Sequence, residues 1–370
     1  MVVSYNWLKE YLHIDLDAQK VGEILTSIGL EVEHISEKKQ IAGSLDQVVV
    51  AYVLECEEHP NSDHLHVTMV DAGEAEPIQI VCGAPNVAKG QKVLLAKVGA
   101  KLTTIEGDEI KIKRSKIRGV ESFGMICAED ELGIGVSHDG IMVLEDDAVV
   151  GTPAEEYLQL ESDTIFEIGL TPNRVDAASH LGVARDLYAY LKLNNIPATL
   201  TLPSVEDFQE GEGEAIPIEV QDVEGSPRYI GITISDVTVG QSPQWLQDKL
   251  IAIGMRPINS VVDITNFVLH ETGQPLHAFD AAKIKGRKVV IRRAENNTPF
   301  VTLDGIERKL TDKDLMICNT EEPMCIAGVF GGLDSGVTEE TKEIFLECAY
   351  FNPVTVRKTA KRFALSTDSS

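Results

Sequence analysis

The spacing of apolar residues changes period twice along this chain, and that change constrains the fold more than any other feature. In residues 1–30 apolar side chains recur at helical spacing: Trp7, Leu8, Tyr11 and Leu12 after Ser4 or Asn6, then Val21, Ile24, Leu25 and Ile28 after Asp15 or Asp17. Ser, Asn and Asp side chains accept hydrogen bonds from the first free N–H groups of a helix, and Gly29 is placed to stop the second one. EVEHI (31–35) follows as a strand. From Val48 to about Glu145 the pattern shortens to β runs broken by Gly, Pro and Asp: VVVAYVLEC, HVTMVDAG, PIQIVCGA, KVLLAKVG, EIKIKRSKI and FGMICAEDELG. Short strands at this density predict a small barrel or sandwich. Helical spacing then resumes at Leu181, Ala184, Leu187, Tyr188 and Leu191, with Asp176 as the expected cap. A barrel inserted into one small α/β domain accounts for both changes.

The last 150 residues build a second α/β unit. SVEDFQEGEGEAIPIEV (204–220) is acidic and Gly-rich and reads as a linker. SPRYIGITISDV is a strand. Ser242 is then the expected cap of a helix with Pro243 at its first position, Trp245, Leu246, Leu250 and Ile251 inside, and Gly254 at its end. Another helix starts near Asn259 or Ser260; strands follow at KVVIRRA, LMICN, MCIAGVF and EIFLECAYF, and Pro353 opens a last helix. The expected boundaries are 1–38 with 152–200, a barrel over 39–151, the linker at 204–220, and the second unit over 221–365. Residues 366–370 are expected to begin a further region, because LSTDSS carries no compositional stop.

Hydrophobic residues make up 43% of 370, enough for several cores, but the formal net charge is −26. A general electrostatic grip on nucleic acid needs Lys and Arg against phosphates, so any RNA contact must use a local basic patch or a basic partner chain. KIKRSKIRG (111–119) is such a patch, with Lys111, Lys113, Arg114, Lys116 and Arg118. It is either a solvated strand edge or a phosphate-contacting edge of an OB-like barrel. Cys56, Cys82, Cys127, Cys318, Cys325 and Cys348 form no CxxC pair and read as buried thiols of a reducing compartment. His59, His64 and His66 fit neither a zinc finger nor HExxH, so a turn followed by a strand is preferred to a metal site. No signal-like start and no long apolar run occurs, which favours the cytoplasm.

Three later blocks could carry chemistry. RPINSVVDITNFVLHETGQPLHAFD (256–280) reads as a capped helix bearing Thr265 and Asn266, then a Gly–Gln–Pro turn that delivers His277. His277 is either part of a pocket wall or a structural hydrogen-bond donor. MCIAGVFGGLDSGV (324–337) lacks the GK[ST] ending of a phosphate loop, and its glycines suit close approach of a substrate to the main chain. Glu347 lies inside the apolar run IFLECAYF. Strand alternation permits an outward side chain; an inward carboxylate would cost several kcal/mol to desolvate without partners.

HPNSDHLHVTMVDAG, IQIVCGAPNVAKGQKVLLAKVGAKL and RSKIRGVESFGMICAEDELG resemble the tRNA-binding OB domain of bacterial phenylalanyl-tRNA synthetase β subunits. Relatives of that domain also occur on methionyl synthetases and free tRNA chaperones. TPNRVDAASHLGVARDLYA and the three later blocks, in this order, resemble the rest of the same β subunits through the B3/B4 editing domain. The resemblance implies an α+β multidomain fold: an OB-fold β-barrel inserted in a small α/β domain, followed by a mixed α/β editing domain. It implies hydrolysis of tyrosine wrongly attached to tRNA(Phe). Carried over, His277, Thr265 and Asn266 would be catalytic, and Glu347, Gly328, Ala349, Arg256 and Asn259 would bind substrate. Glu347 would accept the tyrosine hydroxyl, while Gly328 and Ala349 would leave room for the ring. Lys111, Lys113, Arg114, Lys116 and Arg118 would contact RNA, and no metal is implied. A site built to bind a hydroxyl rejects the analogue that lacks it, so phenylalanyl-tRNA would escape. Hydrolysis would rest on positioned water, helped by the ribose hydroxyl of the tRNA. The resemblance also implies an α subunit partner in an α2β2 heterotetramer, with ATP and Mg2+ used by the complete enzyme and no cofactor here. The alternative is a subunit that binds RNA, or holds the α chain, without chemistry.

Overall fold

The structure, a computed structural model, describes residues 1–39, 43–104, 107–135, 137, 139–158, 160 and 162–367. Residues 40–42, between the expected strand at 31–35 and the barrel strands, and the end of the segment expected as a further region therefore lie outside them. The chain divides into two units: residues 1–36 with 164–370, and residues 37–163.

In the 37–163 unit five antiparallel strands form a nearly closed barrel, in the order Gly124–Ile126, Lys92–Lys97, Val48–Glu58, His66–Asp71, Ile78–Cys82. The two outer strands approach each other: Phe123 N–H donates to Gln79 O at 3.0 Å and Val81 N–H to Ser122 Oγ at 3.0 Å. Alternation fills the interior with Val49, Ala51, Val53, Val93 and Leu95. The opposite side chains, Val48, Val50, Leu94 and Ala96, are covered by Leu102, Ile112, Cys127 and Leu132. Both faces being buried explains why VVVAYV runs apolar without a break. A register irregularity between Val53 and Glu55 breaks the pairing of the long Val48–Glu58 strand, the kind of break that lets a strand bend around a small barrel.

The other unit begins with a three-stranded sheet, Ser162–Gly169 between Val2–Ser4 and Glu31–Lys39, packed by helices Tyr5–Tyr11, Ala18–Ser27 and His180–Leu193. Ser4 and Asp17 cap the first two. The third is capped by Ser179, whose Oγ accepts from Gly182 N–H at 2.9 Å, and not by Asp176 as expected. Asp176 sits in a preceding 3-10 turn, where Arg174 holds its carboxylate. Trp7 stacks between His180 and Phe267, at 3.9 and 4.9 Å between ring centroids. This stack joins the first sheet and its helices to the rest of the unit.

The remainder is built in four layers. Helices Gln244–Ala252 and Ser260–Thr272 are followed by an antiparallel sheet in the order Arg228–Ile234, Ile344–Tyr350, Leu276–Asp280. Next comes a five-stranded sheet ordered Ile218–Val220, Val289–Arg293, Leu315–Cys318, Pro323–Ile326, Phe330–Gly331. The Pro353–Phe363 helix covers its far side through Val356 and Ala360. Phe279, Phe345, Ile291, Ile317 and Cys325 fill the space between the sheets. The stretch expected as a linker is exposed through Ala215; Ile216 is buried and Ile218–Val220 already pairs with Val289–Ile291. Ser242 is no cap. Its hydroxyl donates instead to the buried Asp263, which also accepts from Ile258 N–H at 2.8 Å.

Candidate functional site

Ile344–Tyr350 is the middle strand of its sheet, and its register sets Gly231 on one side of Glu347 and His277 on the other. Residues opposite one another in antiparallel strands share a face, so Glu347, His277 and Tyr229 point together toward the five-stranded sheet. Glu347 is 6% exposed and has neither a hydrogen-bond nor an ion-pair partner among the described residues. Burial pushes its carboxyl up to about 8, so near pH 7 it is mostly the neutral acid, with one O–H to donate and a carbonyl oxygen to accept. Burial pushes the His277 imidazole down to about 4, which leaves it neutral. Its ring meets Phe279 edge-on at 4.5 Å. On its other side lies Gly331, where a Cβ would stand 3.1 Å from His277 Cε1, so a glycine gives the imidazole its room.

The other expected residues fall into two groups. Ala349 is on the Glu347 strand opposite Tyr229, and its carbonyl accepts from Gln274 Nε2 at 3.2 Å. Gly328 lies in the turn between Pro323–Ile326 and Phe330–Gly331 with φ of +67°, and a Cβ there would come within 3.0 Å of Val356 and 3.1 Å of Phe351. Only glycine enters that conformation freely. The Ser260–Thr272 helix meets the sheet through Val261, which packs with Ala278 and Ile344 on the face away from Glu347 and His277. Neither Thr265 nor Asn266 hydrogen-bonds to Glu347 or His277; the Thr265 hydroxyl donates to Val262 O at 2.7 Å. Asn259 caps the helix, accepting from Val261 and Val262 N–H at 3.1 and 3.0 Å. Arg256 is exposed without an ion-pair partner among the described residues. Sequence reasoning singled out neither Tyr229 nor Gly331. The signal for Tyr229 was the alternation Tyr229, Gly231, Thr233 in RYIGITI, whose meaning only the strand register supplies.

On the barrel unit, Lys111, Lys113, Arg114, Lys116 and Arg118 are all exposed. Ser115–Ile117 and Val120–Ser122 form a hairpin whose turn holds Arg118 at φ +44°. The loop containing three histidines braces this turn. His59 Nδ1 accepts from Asn61 N–H at 3.0 Å, so His59 Nε2 carries the proton and donates to Ile117 O at 3.1 Å. Asn61 Nδ2 donates to Arg118 O at 3.1 Å. Arg114 pairs with Glu121 at 2.7 Å and lies 5.0 Å over the Phe123 ring. Lys113 and Lys116 have no ion-pair partner among the described residues. No group of three or more metal-binding side chains gathers among those residues.

A cleft of about 330 Å³ lies elsewhere, between the Pro353–Phe363 helix and the outer side of the five-stranded sheet, lined by Arg293, Lys313, Asp314, Lys358 and Arg362 among others. Arg293 is committed to Asp222, and Arg362 to Asp314. The Arg362–Asp314 pair ties the helix to the sheet, and the Arg293–Asp222 pair links the ends of two neighbouring strands.

Two known domains match the sequence: a putative tRNA binding domain over residues 48–153 and a B3/4 domain over residues 225–370. The whole chain is 60% identical to the phenylalanine–tRNA ligase β subunit of Bacteroides fragilis and 59% to that of Porphyromonas gingivalis, covering 45% of each. The Salinibacter ruber subunit is 48% identical, again over 45% of its length. The chain therefore spans less than half of the relatives it matches. Among solved structures, an N-terminal fragment of the phenylalanyl-tRNA synthetase β subunit from Pyrococcus horikoshii is 17% identical with a TM-score of 0.30, over 54% of this chain and 62% of that one. A MetRS-related protein from the same organism is 23% identical with a TM-score of 0.21, over 29% and 86%. No helix among the described residues is long and apolar enough to cross a membrane. With two domain matches and its own length aligned from end to end, the chain matches the N-terminal part of the phenylalanine–tRNA ligase β subunits.

Proposed function

We propose that residues 221–365 hydrolyse tyrosine wrongly esterified to tRNA(Phe), and that residues 39–151 form an RNA-binding barrel inserted in the domain of residues 1–38 and 152–200. The observation that carries the reading is Glu347, a carboxyl buried between two sheets with no partner of its own. Leaving such a group unpaired costs about 1–3 kcal/mol, which a fold recovers when a ligand hydroxyl arrives. A tyrosyl ring that reaches Glu347 pairs the carboxyl; a phenylalanyl ring leaves it stranded, and the difference becomes selectivity. His277, neutral and beside Glu347, orients the ester end. Arg256, Asn259, Thr265 and Asn266 position the terminal ribose and the attacking water; because their helix covers the other face of the sheet, the substrate has to pass the edge strand Leu276–Asp280 to meet them. Ala349 and Gly328 are small, which leaves room for the ring. No protein general base is assigned.

The same proposal places amino-acid activation, with ATP and Mg2+, on an α subunit in an α2β2 assembly in the cytoplasm. Tyrosyl-tRNA(Phe) supplied to the full-length protein should be deacylated, and Glu347→Ala should abolish the preference for tyrosyl over phenylalanyl ester. Equal ratios in the two proteins would remove the reading. A purely RNA-binding role is favoured by one observation, the exposed basic cluster at 111–118, and predicts tRNA binding without any deacylation.

A further inference from the structure

Glu347 is not the only unpaired polar group between the two sheets. The Tyr229 hydroxyl is closed off from solvent and has no hydrogen-bond partner among the described residues. Its ring packs with the inter-sheet core and against Phe351, 6.2 Å between centroids. Tyr229 pairs with Ala349, and two residues along the same strand Gly231 pairs with Glu347, so phenol and carboxyl stand on adjacent strands and on one face. Burial first, and the nearby Glu347 charge second, push the Tyr229 phenol well above its ordinary range. The His277 ring faces the same space, also without a hydrogen-bond partner among the described residues, while the one Cys325 S–H lies between Phe330 O at 3.4 Å and Ile326 O at 3.5 Å and is satisfied there. Two oxygen groups, the Glu347 carboxyl and the Tyr229 hydroxyl, are left that can each hydrogen-bond and do not.

We propose that Tyr229 is a specificity-determining residue of this site, and that its hydroxyl and the Glu347 carboxyl together hold the phenolic hydroxyl of a tyrosyl group. The proposal rests on the hydrolytic reading above. A phenol has one O–H to donate and lone pairs to accept, as do Tyr229 and the neutral form of Glu347. One incoming hydroxyl can take the Glu347 proton as acceptor and give its own to the Tyr229 oxygen, which pairs both orphans at once. A phenylalanyl ring leaves two buried polar groups unpaired instead of one, so the penalty for the wrong ring is borne twice.

The test is Tyr229→Phe in the full-length protein, beside Glu347→Ala. The ratio of tyrosyl-tRNA to phenylalanyl-tRNA hydrolysis should fall about tenfold in Y229F, the effect of losing one buried hydrogen bond of roughly 1.4 kcal/mol. Its melting temperature should not drop, because the lost hydroxyl had no protein partner; a merely structural tyrosine would lower stability and leave the ratio alone. An unchanged ratio in Y229F, with the ratio collapsed in E347A, overturns the Tyr229 role and keeps the site. No change in either variant overturns the site itself. A second measurement leaves the hydroxyl in place: 3-fluorotyrosine at position 229, read by 19F NMR. Its resonance should move on adding L-tyrosine and stay still with L-phenylalanine. Equal response to both would also overturn the proposal.

Discussion

The two regions to which function is proposed in this chain handle charge in opposite ways. On the barrel, Lys111, Lys113, Arg114, Lys116 and Arg118 stand in water, where each is cheap to keep and each contributes little alone. Between the two sheets, Glu347 is kept from water and unpaired, so one side chain carries a large free energy that depends on its protonation. The first design tolerates substitution and adds up over several residues. The second concentrates its effect in one position and couples it to pH. Substitutions at the two places should therefore differ in size, in pH dependence and in salt dependence.

The largest effect is expected at Glu347. Its folded-state carboxyl titrates at about 8, above the ordinary glutamate value, so between about pH 4.5 and 8 the folded chain holds a proton that the unfolded chain has lost. Stability from this group is full at the acid end of that window and falls as pH rises through it. Glu347→Gln removes the titration. The variant should match the wild type near pH 5 and exceed it by several kcal/mol near pH 9, read as the difference between their urea midpoints at each pH. A difference that does not change with pH would place Glu347 in contact with water. His277 has the opposite sign. Its folded value near 4 lies below the usual imidazole value, so its contribution is present above about pH 6.5 and is lost as pH falls toward 4.

Gly328 comes next. Ala at φ +67° costs about 1–2 kcal/mol in backbone strain, and its Cβ would press on Val356 and Phe351. Gly328→Ala should destabilise the chain by about 1–3 kcal/mol, and the comparison sharpens if the loss does not vary with pH. A pH-dependent loss would mean that the turn and the Glu347 carboxyl are coupled.

Much of this architecture could be read from residue spacing, and the failures share one cause. The barrel strands, the first two helices and the start of the last helix were legible because each depends on neighbours in sequence: Asp17 caps three residues ahead, and Pro353 pre-sets its own helix. Asp176 and Ser242 were misread because other groups claim their side chains: Arg174, two residues back in the same turn, and Asp263, 21 residues on in a later helix. The same limit applies to the site. Alternation left Glu347 free to face either way, and only the pairing with Gly231 and His277 chose the inner face. Thr265 and Asn266 sit on a helix whose sequence does not say which side of the sheet it covers, and Val261 shows that it covers the side away from Glu347. Tyr229 was passed over because a tyrosine in a strand is ordinary until its hydroxyl is seen to lack a partner.

Asn259 tests whether a residue that resemblance gives to substrate binding also works as a plain cap. Its Oδ1 accepts from Val261 and Val262 N–H, so Asn259→Ala should cost about 1 kcal/mol of stability. Asn259→Asp keeps the acceptor and should restore it. If hydrolysis follows stability through both variants, the residue acts only by holding the helix; if Asp restores the fold and not the rate, the amide itself meets the substrate.

The smallest effect on stability belongs to the barrel, and there the readout is salt. Replacing Lys113, Arg114 and Lys116 together with Ala should change stability by no more than about 0.5 kcal/mol per site, since all three side chains are exposed. Affinity for tRNA should nevertheless fall, and the slope of log affinity against log salt should shrink by about 1 for each phosphate contact removed. Arg114 is the member most able to break this expectation, because it already pairs with Glu121 and covers Phe123. If Arg114→Ala alone leaves the slope unchanged while Lys113→Ala and Lys116→Ala each reduce it, the two unpaired lysines face the RNA and the arginine holds the hairpin. An unchanged slope in the triple variant would leave this edge as solvated surface, and the contrast with Glu347 would then be between a site and no site.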